Sequence, residues 1–355
     1  MPVKPLTHLE RTLTTIHHQI PDRVPVALHN FLVTVSYANY PMMDALRDGE
    51  MLADAQIKFW KDFRHDVIML ENGVIAEAEA CGCKAIYSND QPPRIVEHIL
   101  AQDLEKIDEL KIPDPYTAFP MNEMLKATNI LANEIGTQVY IMARADQGPV
   151  ALAAALRGWD QLIVDLMAGE QLGLIYKLLD FCVKVQTRYM TALREQGAHG
   201  TSLGEAGVDI IGPRLFRQFA FPYDKVLIPS VGSLDFPVAL HICGDSTLIL
   251  NEMVATGAQI LELDYKTDPF FAKRAMQGKC TFLGPVNPEL IWSAETPSIV
   301  EDSARQALEV LAPGGEFILG AGCALGSNTN SDNIHALVET ASKYGIYRSD
   351  GTLKK

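Results

Sequence analysis

The sequence predicts an α/β fold, a (β/α)8 TIM barrel with an N-terminal helical extension, on three observations. Eight short apolar runs are spread along the chain. The segments between them carry apolar residues at near-helical spacing. The length, 355 residues, suits one large barrel with insertions, so residues 1–355 are taken as a single domain. Strands alternating with helices imply a parallel sheet, and eight roughly even units favour closure over a doubly wound sheet.

Taken in order, residues 1–23, "MPVKPLTHLERTLTTIHHQIPDR", read as a polar, partly helical lead-in, with His17 and His18 on its surface. The first three strands are "VPVAL" (24–28), "DVIML" (66–70) and "QVYIMA" (138–143). "AQDLEKIDELKIPDP" (101–115) is an acidic connector ending in proline, and residues 144–195 supply "GPVALAAALRG" and a further helix pair. The fourth run, "HGTSLGEA" (199–206), is the weakest strand because glycine and serine interrupt it. "PVALHIC" (237–243), "QILELD" (259–264), "CTFLGPV" (280–286) and "EFILGAG" (316–322) complete the set. "TLILNEMVATG" and "PSIVEDSARQALEVLA" are two of the intervening helical patterns.

Composition narrows the function. A net charge of −14 argues against nucleic acid and against an anionic membrane surface, both of which need a basic face. The start lacks the apolar core of a signal peptide, and no window is long and apolar enough to span a bilayer, so a cytoplasmic location is expected. There the six cysteines should stay reduced, which makes a cysteine cluster a metal or catalytic candidate before a disulfide. Nothing in the sequence fixes whether several copies assemble into a homo-oligomer.

The chemistry gathers at strand ends. Alternate side chains of a strand face opposite ways. In "PVALHIC", Val238, Leu240 and Ile242 suit the helix layer, so Ala239, His241 and Cys243 face the barrel interior. In "QILELD", Leu261 and Leu263 face outward, which leaves Glu262 and Asp264 facing in. The eighth run delivers Cys323 at its carboxyl end and the seventh delivers Asn287. Barrel active sites are built at this end of the strands.

One imidazole and two thiolates form a zinc set. Taken alone, His-x-Cys on a buried strand is more often core packing, since cysteine packs as a small hydrophobe. Cys323 at a matching strand end shifts the balance toward a metal. Three strong ligands at the active-site end describe a catalytic site with one exchangeable position, which Asp264 can fill at rest. Zn2+ with two thiolates and a neutral histidine is formally neutral, a poor Lewis acid for hydrolysis that still lowers the pKa of a bound thiol. Alkyl transfer to sulfur is the natural reaction of such a site.

At these residues the chain resembles the uroporphyrinogen decarboxylase superfamily over nearly its whole length. The likeness is carried by "RVPVAL", "KIPDP", "GPVALAAALRG", "HICGDSTLILNEMVATGAQILELDYKTD", "FLGPVNPELI" and "GEFILGAGCALGSNTNSDNIHALVETASKYG". Within it, His-x-Cys with a distant Cys is similar to the zinc-dependent methylcobamide:coenzyme M methyltransferases, and more distantly to cobalamin-independent methionine synthase. The resemblance implies His241, Cys243 and Cys323 as metal ligands, Asp264 as a weaker fourth, Zn2+ as cofactor, and a methyl-corrinoid (cobalamin) donor. The chain lacks a cobalamin-anchoring Asp-x-His-x-x-Gly motif. The corrinoid would therefore arrive on a separate corrinoid protein or free, to meet a small-molecule methyl acceptor.

Two departures speak against porphyrinogen decarboxylation. The resemblance places propionate-binding arginines after the first strand, where this chain has "ALHNFLVTVSYANY". It places an aspartate after the second strand, where the best match is Glu71.

Other residues remain open at this stage. Arg144, ending the third strand, can hold an anionic substrate tail or pair with Asp146 or another acid. Glu205 can serve as an acid or cap the helix that follows it. Cys81 and Cys83 in "EACGCKA" read as packed thiols at a helix end turning through Gly82, while Cys182 and Cys280 read as core. "GAGCALGSNT" can cradle an anion or simply turn tightly. The alternative functions are transfer of a methyl group from a methyl ether or methylamine onto a corrinoid protein, a decarboxylase-like activity, and a non-catalytic corrinoid chaperone.

Overall fold

All eight apolar runs become strands, and they close on themselves. The structure is a computed structural model and describes residues 5–354. In chain order the barrel strands are β1 (Val26–Ala27), β2 (Val67–Leu70), β3 (Tyr140–Arg144), β4 (Gly200–Gly204), β5 (Val238–Ile242), β6 (Ile260–Leu263), β7 (Thr281–Val286) and β8 (Phe317–Ala321). Each pairs in parallel with its sequence neighbours, and β1 closes the ring against β8 through Val26 with Leu319 and Ala27 with Gly320. The sequence did not foretell a short antiparallel hairpin, Lys84–Ile86 against Arg94–Glu97, between β2 and β3. The long segment before β4 forms helices Pro149–Arg157, Trp159–Ala168 and Leu172–Glu195, as expected of residues 144–195.

The alternation along each strand sorts the core into two layers. Outward residues such as Val238, Leu240 and Ile242 join the large apolar cluster under the helices. Inward residues Ala27, Val67, Met69, Tyr140, Met142, Ala239, Ile260, Leu283 and Ile318 form a separate cluster inside the barrel. Gly200 explains why the fourth run looked weak. A Cβ there would lie 2.2 Å from the Tyr140 hydroxyl, so the strand gives up a side chain to let the ring fill the barrel.

The amino-terminal helix His8–Ile16 closes the bottom of this interior. Thr7 and Glu10 start it with a reciprocal capping box. Ile16 belongs to the inner cluster, with Leu9 and Leu13 packed against it. Its polar face is tied down by charge. Arg11 donates to Asp66 at 2.7 Å and to Asp22 at 2.6 Å, Arg23 donates to Asp66 at 2.8 Å, and His8 Nδ1 lies 2.8 Å from Asp66. Burial opposes the charge on Asp66, but Arg23, His8 and Arg11 together hold its carboxyl well below the usual range.

Cys81 and Cys83 lie where the sequence placed them. Helix Ala76–Ala80 ends at Cys81, Gly82 turns the chain with φ 103°, and the hairpin begins at Lys84. Both thiols are buried, and burial pushes Cys83 up to about 11. Cys182 and Cys280 are core residues.

Candidate metal centre

The inward phase of five strands carries the site. Below the mouth, that phase is apolar. At the carboxyl ends it turns polar and delivers His29 after β1, Glu71 after β2, Arg144 in β3, His241 in β5 and Glu262 in β6. Cys243 continues the phase of β5 one step beyond the strand. Cys323 lies two residues beyond β8 and reaches the same place through a turn.

His241, Cys243 and Cys323 come together as the sequence predicted. Their ligand atoms all lie within 4.8 Å of one another, and among the described residues they form the sole group of three or more metal-ligating side chains so placed. His241 Nε2 is 3.2 Å from Cys243 Sγ, and the two sulfurs are 3.9 Å apart. Tetrahedral zinc with its usual bond lengths separates its ligand atoms by roughly 3.5–3.8 Å, so the three atoms stand at nearly the right spacing. The donor set of one imidazole and two thiols is also the right chemistry for that ion. Cys243 and Cys323 are part-exposed, whereas the other four cysteines are buried. Between the two, hydrogen bonding from Cys243 favours the thiolate at Cys323, which lies well below an ordinary thiol.

The histidine is aimed by its neighbour strand. His241 Nδ1 lies 3.1 Å from the main-chain oxygen of Glu262, so Nδ1 donates and Nε2 is left as the ligand atom. The Glu262 side chain is fully buried and anchored twice, by Arg144 NH1 at 2.9 Å and by His29 Nδ1 at 2.8 Å. His29 Nε2 also meets Glu71 at 3.1 Å. An imidazole flanked by two carboxylates must donate from both nitrogens. Burial and Arg144 disfavour that charge, but Glu262 and Glu71 outweigh them and push His29 up to about 10. Burial acts against Glu262 too, yet Arg144, His241 and His29 hold it well below the carboxylate range.

Arg144 resolves in favour of pairing. It is 2% exposed, donates to Asp146 at 2.9 and 2.7 Å, and lies 3.2 Å from Glu71. It is the hub of a buried network of two cations and three carboxylates beneath the ligands. Burial pushes Asp146 up to about 7 despite Arg144.

Three sequence candidates hold the frame. Asp264 accepts from Gly244 N at 2.9 Å and Lys266 N at 3.0 Å, so it fixes the turn after Cys243, and it is not among the three clustered donors. Asn287 accepts from Glu289 N at 2.9 Å and caps helix Pro288–Ser293. Glu205 sits in the outward phase of β4, with Thr201 and Leu203. It accepts from Val150 N at 3.0 Å and Ala151 N at 2.7 Å, so it caps helix Pro149–Arg157, which precedes it in the chain, and not the helix that follows. Gly148 makes this approach feasible, since a Cβ there would lie 2.4 Å from the Glu205 carboxyl carbon. Beside Glu205, Asp224 is buried, and burial together with the neighbouring Glu205 carboxyl pushes its own carboxyl up strongly.

The sequence reading missed His29. The same two-residue alternation finds it, because Ala27 faces inward and His29 follows in phase. It also missed the groove beside Cys323, about 340 Å3, lined among others by Lys266, Glu289 and Trp292.

Comparison with known proteins is consistent with this geometry. The family model "Uroporphyrinogen decarboxylase (URO-D)" matches residues 7–344. The methylcobamide:CoM methyltransferase MtbA of Methanosarcina acetivorans is 28% identical over 352 residues, covering 95% of this chain and 98% of its own. A uroporphyrinogen decarboxylase of Synechocystis is 22% identical, covering 85% of this chain and 86% of its own. The solved structure of a methyltransferase from Methanosarcina mazei superposes with a TM-score of 0.86 at 23% identity, covering 95% of this chain and 99% of that one. No described helix is long and apolar enough to cross a membrane.

Proposed function

The chain belongs to the uroporphyrinogen decarboxylase family, and within it we propose a zinc-dependent methyltransferase that moves a methyl group from a methyl-corrinoid to a thiol acceptor. One observation carries this reading: a buried His241 and the part-exposed Cys243 and Cys323 converge at the carboxyl-terminal mouth of the barrel at metal-binding spacing. The methylcobamide:CoM methyltransferase relative, which spans nearly the full chain, supports the same reaction.

His241, Cys243 and Cys323 would hold Zn2+, and the ion, once bound, would lower the pKa of an acceptor thiol and keep its sulfur electron-rich. The protein's own part is positioning. Glu262 fixes the His241 tautomer through its carbonyl, Arg144 and His29 fix Glu262, and Asp264 fixes the turn that carries Cys243. Holding an acceptor and a donor in line at one mouth removes much of the entropic part of the barrier. The cobalt chemistry belongs to the corrinoid, which a separate corrinoid protein or the free cofactor would bring to the mouth.

The decarboxylase alternative has less support. The position after β1 holds His29, not an arginine, and His29 is already bonded to Glu71 and Glu262.

The test is direct. Elemental analysis should find one zinc per chain, and methylcobalamin absorbance should decay on adding a thiol. A metal-free preparation with full activity would refute the reading. Methylation of cob(I)alamin from a methyl ether or methylamine, with no thiol-dependent decay, would instead select the first half of such a pathway, transfer from the methylated substrate onto the corrinoid.

A further inference from the structure

We propose that the groove beside Cys323 receives the tail of the acceptor and that it is built for a zwitterion, an α-amino acid bearing a side-chain thiol. This rests on the methyl-transfer reading above and specifies its acceptor.

The groove, about 340 Å3, opens between the loops that follow β6, β7 and β8, and Cys323 forms part of its wall. It therefore lies where the tail of a molecule must go if its sulfur is to reach the three clustered donors. Three charged side chains line it: Asp264, whose carboxylate already accepts from Gly244 N and Lys266 N, and two of opposite sign, Lys266 from the β6 loop and Glu289 from the β7 loop. Lys266 and Glu289 are exposed. Among the described residues neither has an ion-pair partner, and they do not come within the 4.0 Å that would pair them with each other. Each is nonetheless fixed at its root. Lys266 N donates to Asp264 at 3.0 Å, and Glu289 N donates to Asn287 at 2.9 Å. The Lys266 ammonium rests 5.7 Å from the centre of the Tyr265 ring.

The two charges line one groove without pairing with each other, and this sorts acceptors by charge. An uncharged tail gains from neither. A purely anionic tail is drawn to Lys266 but meets Glu289 and the Asp264 carboxylate on the same walls. A zwitterion places its carboxylate toward Lys266 and its ammonium toward Glu289, so these two wall charges are matched, while Asp264 stays bonded to the main chain. Trp292, half exposed and close above Gly326, gives the apolar side against which a methylene chain can lie. Asn287 and Asp264 acquire a second use: by bonding the main chain of the two charged residues, they fix the backbone from which those side chains rise.

The test uses the full chain loaded with cobalt(II) in place of zinc, so that thiol binding is read from sulfur-to-cobalt absorbance without any methyl transfer. L-homocysteine, 2-mercaptoethanesulfonate and 2-mercaptoethanol are titrated in parallel. Homocysteine should bind about ten-fold more tightly than either of the others. Lys266→Ala and Glu289→Gln should each reduce the ratio of homocysteine to mercaptoethanol affinity by about five- to ten-fold, with circular dichroism unchanged. Equal or tighter binding of the sulfonate, an unchanged ratio in both variants, or no saturable homocysteine binding overturns the assignment. Methylcobalamin consumption by the zinc protein separates the two readings. Selective homocysteine binding without methyl transfer keeps the groove and removes the reaction. Methyl transfer that favours the sulfonate or the neutral thiol keeps the reaction and removes the groove.

Discussion

The two ends of the barrel each bury a carboxylate among cations, yet they are finished differently. At the amino-terminal end Asp66 is surrounded by Arg11, Arg23 and His8, and the helix His8–Ile16 seals it. At the carboxyl-terminal end Glu262 is held by Arg144 and His29, but what lies above it is not a seal. It is an imidazole and two part-exposed sulfurs. Similar electrostatics therefore serve two purposes. One cluster is consumed in closing the fold, and the other lends its rigidity to groups left free for chemistry. The contrast follows the division common to barrels, stability at the bottom and reaction at the top.

The sharpest way to break the comparison is at the top. Cys243→Ala should lower bound zinc from one equivalent to a small fraction and cut methyl transfer by more than about a hundred-fold, while unfolding stays cooperative. Elemental analysis and methylcobalamin absorbance read both effects. Retained zinc and turnover would show that Cys243 is only a packed thiol.

The matching change at the bottom should do the opposite. Asp66→Asn leaves buried guanidinium groups without their carboxylate and should cost about 3–5 kcal/mol in urea unfolding, with zinc stoichiometry preserved. Loss of zinc at unchanged stability would mean that the two ends are not separable in the way described.

A smaller effect sharpens the comparison by pH. His65 precedes Asp66, and neither ring nitrogen has a hydrogen-bond partner among the described residues. Burial, only partly offset by Asp66, holds it neutral and pushes it down to about 3. In the unfolded chain it titrates near about 6.5, so the unfolded state takes up a proton first as pH falls. Its contribution is full above about 6.5 and shrinks toward 3, a loss of about 2 kcal/mol between pH 7 and pH 5. His65→Leu should remove that much of the acid sensitivity in paired urea titrations. Identical pH dependence in the two proteins would show that His65 is charged in the fold.

How far the sequence spoke follows from the same period of two. Strands of alternating or continuous apolar residues announced all eight barrel members, and phase alone placed His241, Cys243 and Glu262 on the inner face. Phase also accounts for Glu205, whose outward position sends it to a helix terminus rather than the mouth. What stayed hidden was partnership. Arg144 had several acids within sequence reach, and only the closed barrel chooses Glu71, Asp146 and Glu262 together. The hairpin at 84–97 went unseen because most of its strand residues are exposed and carry no apolar run. Cys323 lies past its strand, where alternation no longer dictates direction, so its arrival beside Cys243 depends on the turn after β8.

The helix beneath the barrel has a kinetic corollary. The interior above it is packed with side chains, so the carboxyl-terminal mouth is the side on which the site opens. Under the proposed reaction, a small acceptor would be seated before a corrinoid carrier covers that mouth, and the methylated product would leave after the carrier does.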